Sequence, residues 1–181
     1  MNEQLHEQTV LQNEVFHGRV FDVRVDEVRL PDGSPARREL VAHPGGVCVA
    51  ALTDDGCILA VRQYRYGAQQ VLLELPAGKL EPGEDPDEAV RRELSEETGV
   101  TADVWYSLGK MHPTPAYCGE VIHMYAAEGL HFGEAHPDAG EFLVQERVPL
   151  SEMYRRVLAD EITDAKTQVM ILKLYARRFG K

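Results

Sequence analysis

Residues 78–100 read GKLEPGEDPDEAVRRELSEETGV, and this run constrains the chain more than any other. Ala89, Val90 and Leu94 fall at helical spacing and supply an apolar stripe. Asp85 is placed as the N-cap with Pro86 at the first helical position, and Gly99 is placed to end the helix near Thr98. On such a helix Glu93 and Glu97 are i and i+4 and share a face, and Glu96 lies three residues from Glu93. Glu84 sits just ahead of the helix. Like charges at this spacing destabilise an isolated helix, and neighbouring carboxylates resist ionising together. A hard divalent cation with oxygen ligands relieves the repulsion. The plain alternative is a solvated helix face whose charges are neutralised by Arg91 and Arg92.

The glycines sharpen the choice. Gly78, Glu84, Arg92, Glu93, Leu94, Glu96, Glu97, Gly99 and Val100 fill every fixed position of the spacing G-x5-E-x7-R-E-U-x-E-E-x-G-U, where U is a bulky aliphatic residue. This is the Nudix box, and the chain resembles the Nudix hydrolases. Gln63-Tyr64-Arg65, the run LELPAGKLEPGE over residues 73–84, Pro113, Pro115 and Asp164-Ala165-Lys166-Thr167 look like the ADP-ribose pyrophosphatase group of that superfamily. The resemblance covers residues 15–175.

It implies an α/β fold, a Nudix-type α/β/α sandwich with a mixed sheet. It also implies Mg²⁺-dependent (or Mn²⁺-dependent) hydrolysis of the pyrophosphate bond in a nucleoside diphosphate linked to a group X. ADP-ribose would give AMP and ribose 5-phosphate. Another nucleotide sugar, FAD, NADH or a nucleoside triphosphate are the alternative substrates. A non-catalytic Nudix-fold ligand-binding module is a third reading, and it predicts erosion of the carboxylates.

Site residues carry over one by one. The resemblance implies metal ligation by Glu93, Glu96, Glu97 and the backbone carbonyl of Ala77. Gly78 lets the backbone come close to metal and phosphates. Arg92 pairs with the box carboxylates and orients them. Glu84 is either a further ligand or a local acceptor. Arg65, at the end of an apolar strand, suits phosphate oxygens, because a guanidinium binds them bidentately. Glu74 stands among Leu72, Leu73 and Leu75, and family analogy puts it near the nucleoside end of the substrate. Pro115 and Tyr117 lie in the loop HPTPAYCG, where the group often carries Ser-Pro-Gly and this chain has Thr114-Pro115-Ala116. The resemblance implies a catalytic base from the loop HFGEAHPDAGEF, with Glu141 as the first choice and Asp138 and the box residue Glu96 as alternatives.

The net charge of −11 argues against a nucleic-acid surface, which needs compensating Lys and Arg. Three cysteines, Cys48, Cys57 and Cys118, fit reduced thiols in a cytoplasm, with Cys48 and Cys57 as buried strand residues. No secretory signal or membrane span is visible.

Residues 1–13 read as weakly ordered, and residues 14–41 as strands joined by a turn at Pro31-Asp32-Gly33. Residues 1–42 thus form an N-terminal strand element ahead of a Nudix hydrolase domain over 43–181. The element is too small to make a stable sheet alone, and related enzymes exchange it in a homodimer. Further strands are expected on both sides of Asp54-Asp55-Gly56, before the box and after it, with helices over 150–159 and 165–178.

Overall fold

The computed structural model describes residues 3–180, in two compact units. One comprises the chain up to Gly45 with His112–Val121; the other comprises Gly46–Met111 with the chain from Ile122 onward.

The first unit is an antiparallel sheet built on one long strand. After a 3-10 turn at Glu3–Leu5 come β1 (Gln8–Leu11), β2 (Glu14–His17), β3 (Asp22–Arg29) and β4 (Pro35–Ala42). β4 pairs with β3 along its whole length, and β2 and β1 share the other edge of β3. The expected turn forms with Gly33 at φ 85°, and its amide donates to the Leu30 carbonyl at 2.8 Å. The expectation of weak order before residue 14 is overturned at residues 8–11. These pair with β3 from Gln8↔Arg29 to Leu11↔Glu27, a long-range contact that no local pattern announces. Val28 is the only buried apolar side chain among the described residues of this unit, while Val10, Leu11, Val15, Phe16, Val20 and Phe21 are exposed.

The second unit holds β5 (Gly46–Ala51), β6 (Cys57–Arg65), β7 (Gln70–Glu74), β8 (Ala77–Lys79), α1 (Pro86–Thr98), β9 (Val100–Met111), β10 (Ile122–Phe132), β11 (Leu143–Pro149), α2 (Leu150–Leu158) and α3 (Ala165–Phe179). One mixed sheet has the order β8-β5-β10-β9, with β5 and β10 parallel. A second, antiparallel sheet has the order β11-β6-β7.

Side chains alternate along a strand, so β5 serves two cores. Val47, Val49 and Ala51 pack with Ala89, Val90 and Leu94 of α1. Cys48, Ala50 and Leu52 pack with Met153 and Val157 of α2 and Met170, Ile171 and Leu174 of α3. A strand covered on both faces reads as a continuous apolar run, as β5 does. The layers are therefore helix, sheet, helix pair. β5 and β6 flank Asp54-Asp55-Gly56 in sequence yet lie in different sheets, joined only by a bridge at Leu52↔Ile58. Cys48 is fully buried; Cys57, at the first residue of its strand, is only half-buried, because the core begins at Ile58. Among the described residues no helix is long and apolar enough to cross a membrane.

Candidate active site and metal centre

α1 begins and ends where its sequence dictates. Asp85 accepts a hydrogen bond from the Asp87 amide at 2.8 Å, Pro86 occupies the first turn, and Gly99 ends the helix at φ 70°. Ala89, Val90 and Leu94 bury the same side of α1 as Glu97, and on that inward side Glu93 and Glu97 meet β8. There Gly78 is a steric requirement: a Cβ on it would stand 1.9 Å from Glu93 Cδ.

Arg92 gathers the box carboxylates. Its Nε and Nη2 donate to the two oxygens of Glu84 at 2.9 and 3.0 Å. Its Nη1 donates to Glu93 at 2.8 Å and to Glu96 at 2.9 Å. Glu84 also accepts from the Glu81 amide at 2.9 Å, so it serves as a local acceptor. The Arg92 bonds hold Glu84 below the ordinary carboxylate value. Glu93 is raised instead, because burial outweighs Arg92. Glu97, 4% exposed, accepts from the Ala77 amide at 3.2 Å. Burial pushes its carboxyl up to about 8, and the charges of Glu93 and Glu141 push the same way.

A second charged group lies where β6, β7 and α3 meet. Arg65 donates through Nε and Nη2 to the two oxygens of Glu74 at 2.8 and 2.9 Å. Lys166 Nζ donates to the same carboxylate and to Asp164 at 2.8 Å. Asp164 caps α3 by accepting from the Thr167 amide at 2.9 Å, and Thr167 Oγ1 accepts from the Leu75 amide at 2.9 Å. Glu74 is 1% exposed; burial raises its pKa, but the Arg65 hydrogen bonds and the Lys166 charge outweigh burial and leave it lowered.

The loop over residues 133–142 is tied to the end of α1. The Gly133 amide donates to the Gly99 carbonyl at 2.8 Å and the His136 amide to the Glu96 carbonyl at 2.9 Å. Gln145 Nε2 donates to the Glu97 carbonyl at 3.0 Å. Glu141 is exposed on this loop, and its charge reaches both Glu93 and Glu97.

The family model of the NUDIX domain matches residues 42–170. The chain belongs to the Nudix family. It is 39% identical over 169 residues to an ADP-ribose pyrophosphatase of Bacillus subtilis (strain 168), covering 92% of this chain and 91% of that one. It is 38% identical to a methanol dehydrogenase activator of Bacillus methanolicus, covering 94% of both. It is 36% identical to an ADP-ribose pyrophosphatase of Mycobacterium tuberculosis (strain ATCC 25618 / H37Rv), covering 97% of this chain and 86% of that one. This protein is a Nudix hydrolase, an enzyme that acts on small nucleotide derivatives and needs a divalent metal.

The donor set of this Nudix hydrolase fits such an ion. Glu93, Glu96, Glu97 and the Ala77 backbone are oxygen donors on facing segments, which suits a hard cation. Glu97 is buried and Glu93 partly so, both resist ionising, and a nearby cation favours their charged forms. In this structure they are held by Arg92 and the Ala77 amide rather than converging on one point. Among the described residues, the only three side chains with ligand atoms within 4.8 Å of one another are Glu14, His17 and Asp22 of the N-terminal unit. That group is exposed or half-exposed, and His17 already pairs with Asp22 at 2.8 Å.

Of the residues singled out in the sequence, Ala77, Arg92, Glu93, Glu96, Glu97 and Glu141 are brought into one neighbourhood. Arg65 reaches it through its charge on Glu97. Glu74 lies beside Arg65 with both oxygens engaged by its own chain. Pro115 and Tyr117 belong to the N-terminal unit, where the Tyr117 carbonyl accepts from the Val41 amide at 2.8 Å. Gln145 and the Lys166–Glu74 contact escaped the sequence reading. The partners are 48 and 92 residues apart in the chain, and only folding brings them together.

Proposed function

We propose that this Nudix hydrolase cleaves ADP-ribose to AMP and ribose 5-phosphate, with Mg²⁺ as the ion and Mn²⁺ as a substitute. The observation that carries the reading is the placing of Glu93 against Gly78, with Arg92 bonded to both Glu93 and Glu96 and the Ala77 amide bonded to Glu97, and with every box position intact. The names of two relatives, at 39% and 36% identity over most of the chain, supply the substrate.

The proposed ligands are Glu93, Glu96, Glu97 and the Ala77 carbonyl. When bound there, a divalent cation would supply positive charge against the pyrophosphate and lower the pKa of a water. Arg92 keeps Glu93 and Glu96 in place. Glu141 takes the proton of the water, with Asp138 and Glu96 as the other carboxylates able to do so. Arg65 binds a phosphate oxygen, and Glu74 acts by holding Arg65. Pro115 and Tyr117 contribute to the substrate pocket.

The N-terminal element over residues 1–42 is proposed to be exchanged between two copies in a homodimer, beside a catalytic domain over 43–181. Among its described residues one apolar side chain, Val28, is buried and a row of others is exposed, which supports this. Light scattering that finds only monomer at micromolar concentration removes the proposal. The free thiols support a cytoplasmic location. The charge of −11 speaks against nucleic-acid partners.

The deciding experiment is a substrate panel with Mg²⁺ and product identification. ADP-ribose is expected to give AMP and ribose 5-phosphate at the highest kcat/KM. If another nucleotide sugar, FAD, NADH or a nucleoside triphosphate is turned over far faster, the substrate assignment is wrong.

A further inference from the structure

The cluster of Arg65, Glu74, Lys166 and Asp164 is the best-built polar feature outside the box. A carboxylate that is 1% exposed has lost nearly all of its water, a desolvation cost of several kcal/mol unless it is fully bonded. Glu74 recovers it through three charge-assisted hydrogen bonds, two from Arg65 and one from Lys166. The Lys166 side chain is only 13% exposed and spans from Glu74 to Asp164. Asp164 is fixed as the cap of α3, so Lys166 is anchored to a helix end.

The consequence falls on Arg65, whose side chain is 41% exposed. Its Nε and Nη2 are committed to Glu74, and among the described residues Nη1 has no hydrogen-bond partner. With Arg65 as its only partner, Glu74 would neutralise the guanidinium and compete with an incoming phosphate for it. Lys166 takes part of that negative charge. The charge of Asp164 is itself offset by the positive end of α3.

We infer that Lys166 is a positioning residue for substrate binding: it pins Glu74, and through Glu74 it aims the open edge of Arg65 at the anionic substrate. The inference rests on the proposed role of Arg65 in binding the pyrophosphate.

The test is a double-mutant cycle of Lys166→Met and Arg65→Gln, with KM and kcat for ADP-ribose measured in Mg²⁺ and Mn²⁺ affinity measured without substrate. Lys166→Met is expected to raise KM about ten-fold in the parent, and to add little once Arg65 is replaced. Mn²⁺ affinity should stay within about two-fold. Lys166→Arg keeps the charge and should restore most of the KM. Should Lys166→Met not fold, the same cycle run with Lys166→Gln, which also removes the charge, decides. If the effects on KM are additive, or if Lys166 variants lose thermal stability alone, the positioning role is overturned while that of Arg65 stands. If Arg65→Gln leaves KM unchanged, both readings fall.

Discussion

Gly78 and Glu93 are in such close register that a Cβ on the glycine would stand 1.9 Å from the glutamate Cδ. Gly78→Ala therefore displaces the Glu93 carboxylate, the residue at the centre of the Arg92 contacts. Divalent-ion affinity should fall about 10–100-fold, with turnover falling at least as far. Calorimetric titration of Mn²⁺ into the variant, beside its circular dichroism spectrum, checks this. An unchanged affinity removes the ligand role of Glu93.

Arg92 pairs with three carboxylates at once, and all four side chains are partly or largely buried. Arg92→Ala leaves Glu84, Glu93 and Glu96 facing one another. The metal-free protein should lose about 1–3 kcal/mol. Millimolar Mg²⁺ should recover part of that loss by replacing the missing cation. Thermal melts with and without Mg²⁺ measure it; a loss that Mg²⁺ does not touch argues against an ion at this place.

Glu97→Gln should move stability and activity in opposite directions. The ionised carboxylate is unfavourable in its buried site, so the neutral isostere should stabilise the metal-free protein above pH 8, where the parent Glu97 is charged. Turnover should drop by orders of magnitude. Near-normal turnover in the folded variant sinks the metal-site assignment.

The same group sets a pH dependence. Its folded value of about 8 lies above the ordinary 4.5, so its contribution to stability is complete below 4.5 and is lost as pH rises through 8. A cation needs the charged form, so binding at pH 7 should release a proton, and affinity should weaken as pH falls from 8 toward 6. Titration calorimetry in two buffers of different ionisation enthalpy reads the proton directly. A heat independent of buffer contradicts the prediction.

Glu141→Gln tests the base. The residue is exposed, so stability should change by less than about 0.5 kcal/mol. Turnover should fall about 10²–10⁴-fold. A smaller drop passes the role to Asp138 or Glu96, whose Gln or Asn variants then carry the effect.

The legible parts of this protein were the local ones. Asp85, Pro86 and Gly99 bound α1 in the sequence as they do in the structure, because caps act within one turn. The helix expected over 165–178 forms as Ala165–Phe179. The spacing of Glu93, Glu96 and Glu97 already put carboxylates on one helix face. The order of residues 8–11 was not legible, because β1 exists only through its pairing with β3. Nor was the environment of Glu74, since an acidic residue in an apolar run looks the same whether it points outward or is buried against Arg65 and Lys166.

The sequence by itself determined the chemistry. Box spacing is a property of neighbouring residues on one helix, and it named the family and the kind of bond broken. Only the tertiary structure decided which charges are paired, which are buried, and which titrate near neutrality. Those depend on desolvation and on partners far away in the chain: Ala77 for Glu97, Lys166 for Glu74, Gly78 for Glu93. A pKa and a free guanidinium edge come from three-dimensional surroundings, and no one-dimensional pattern contains them.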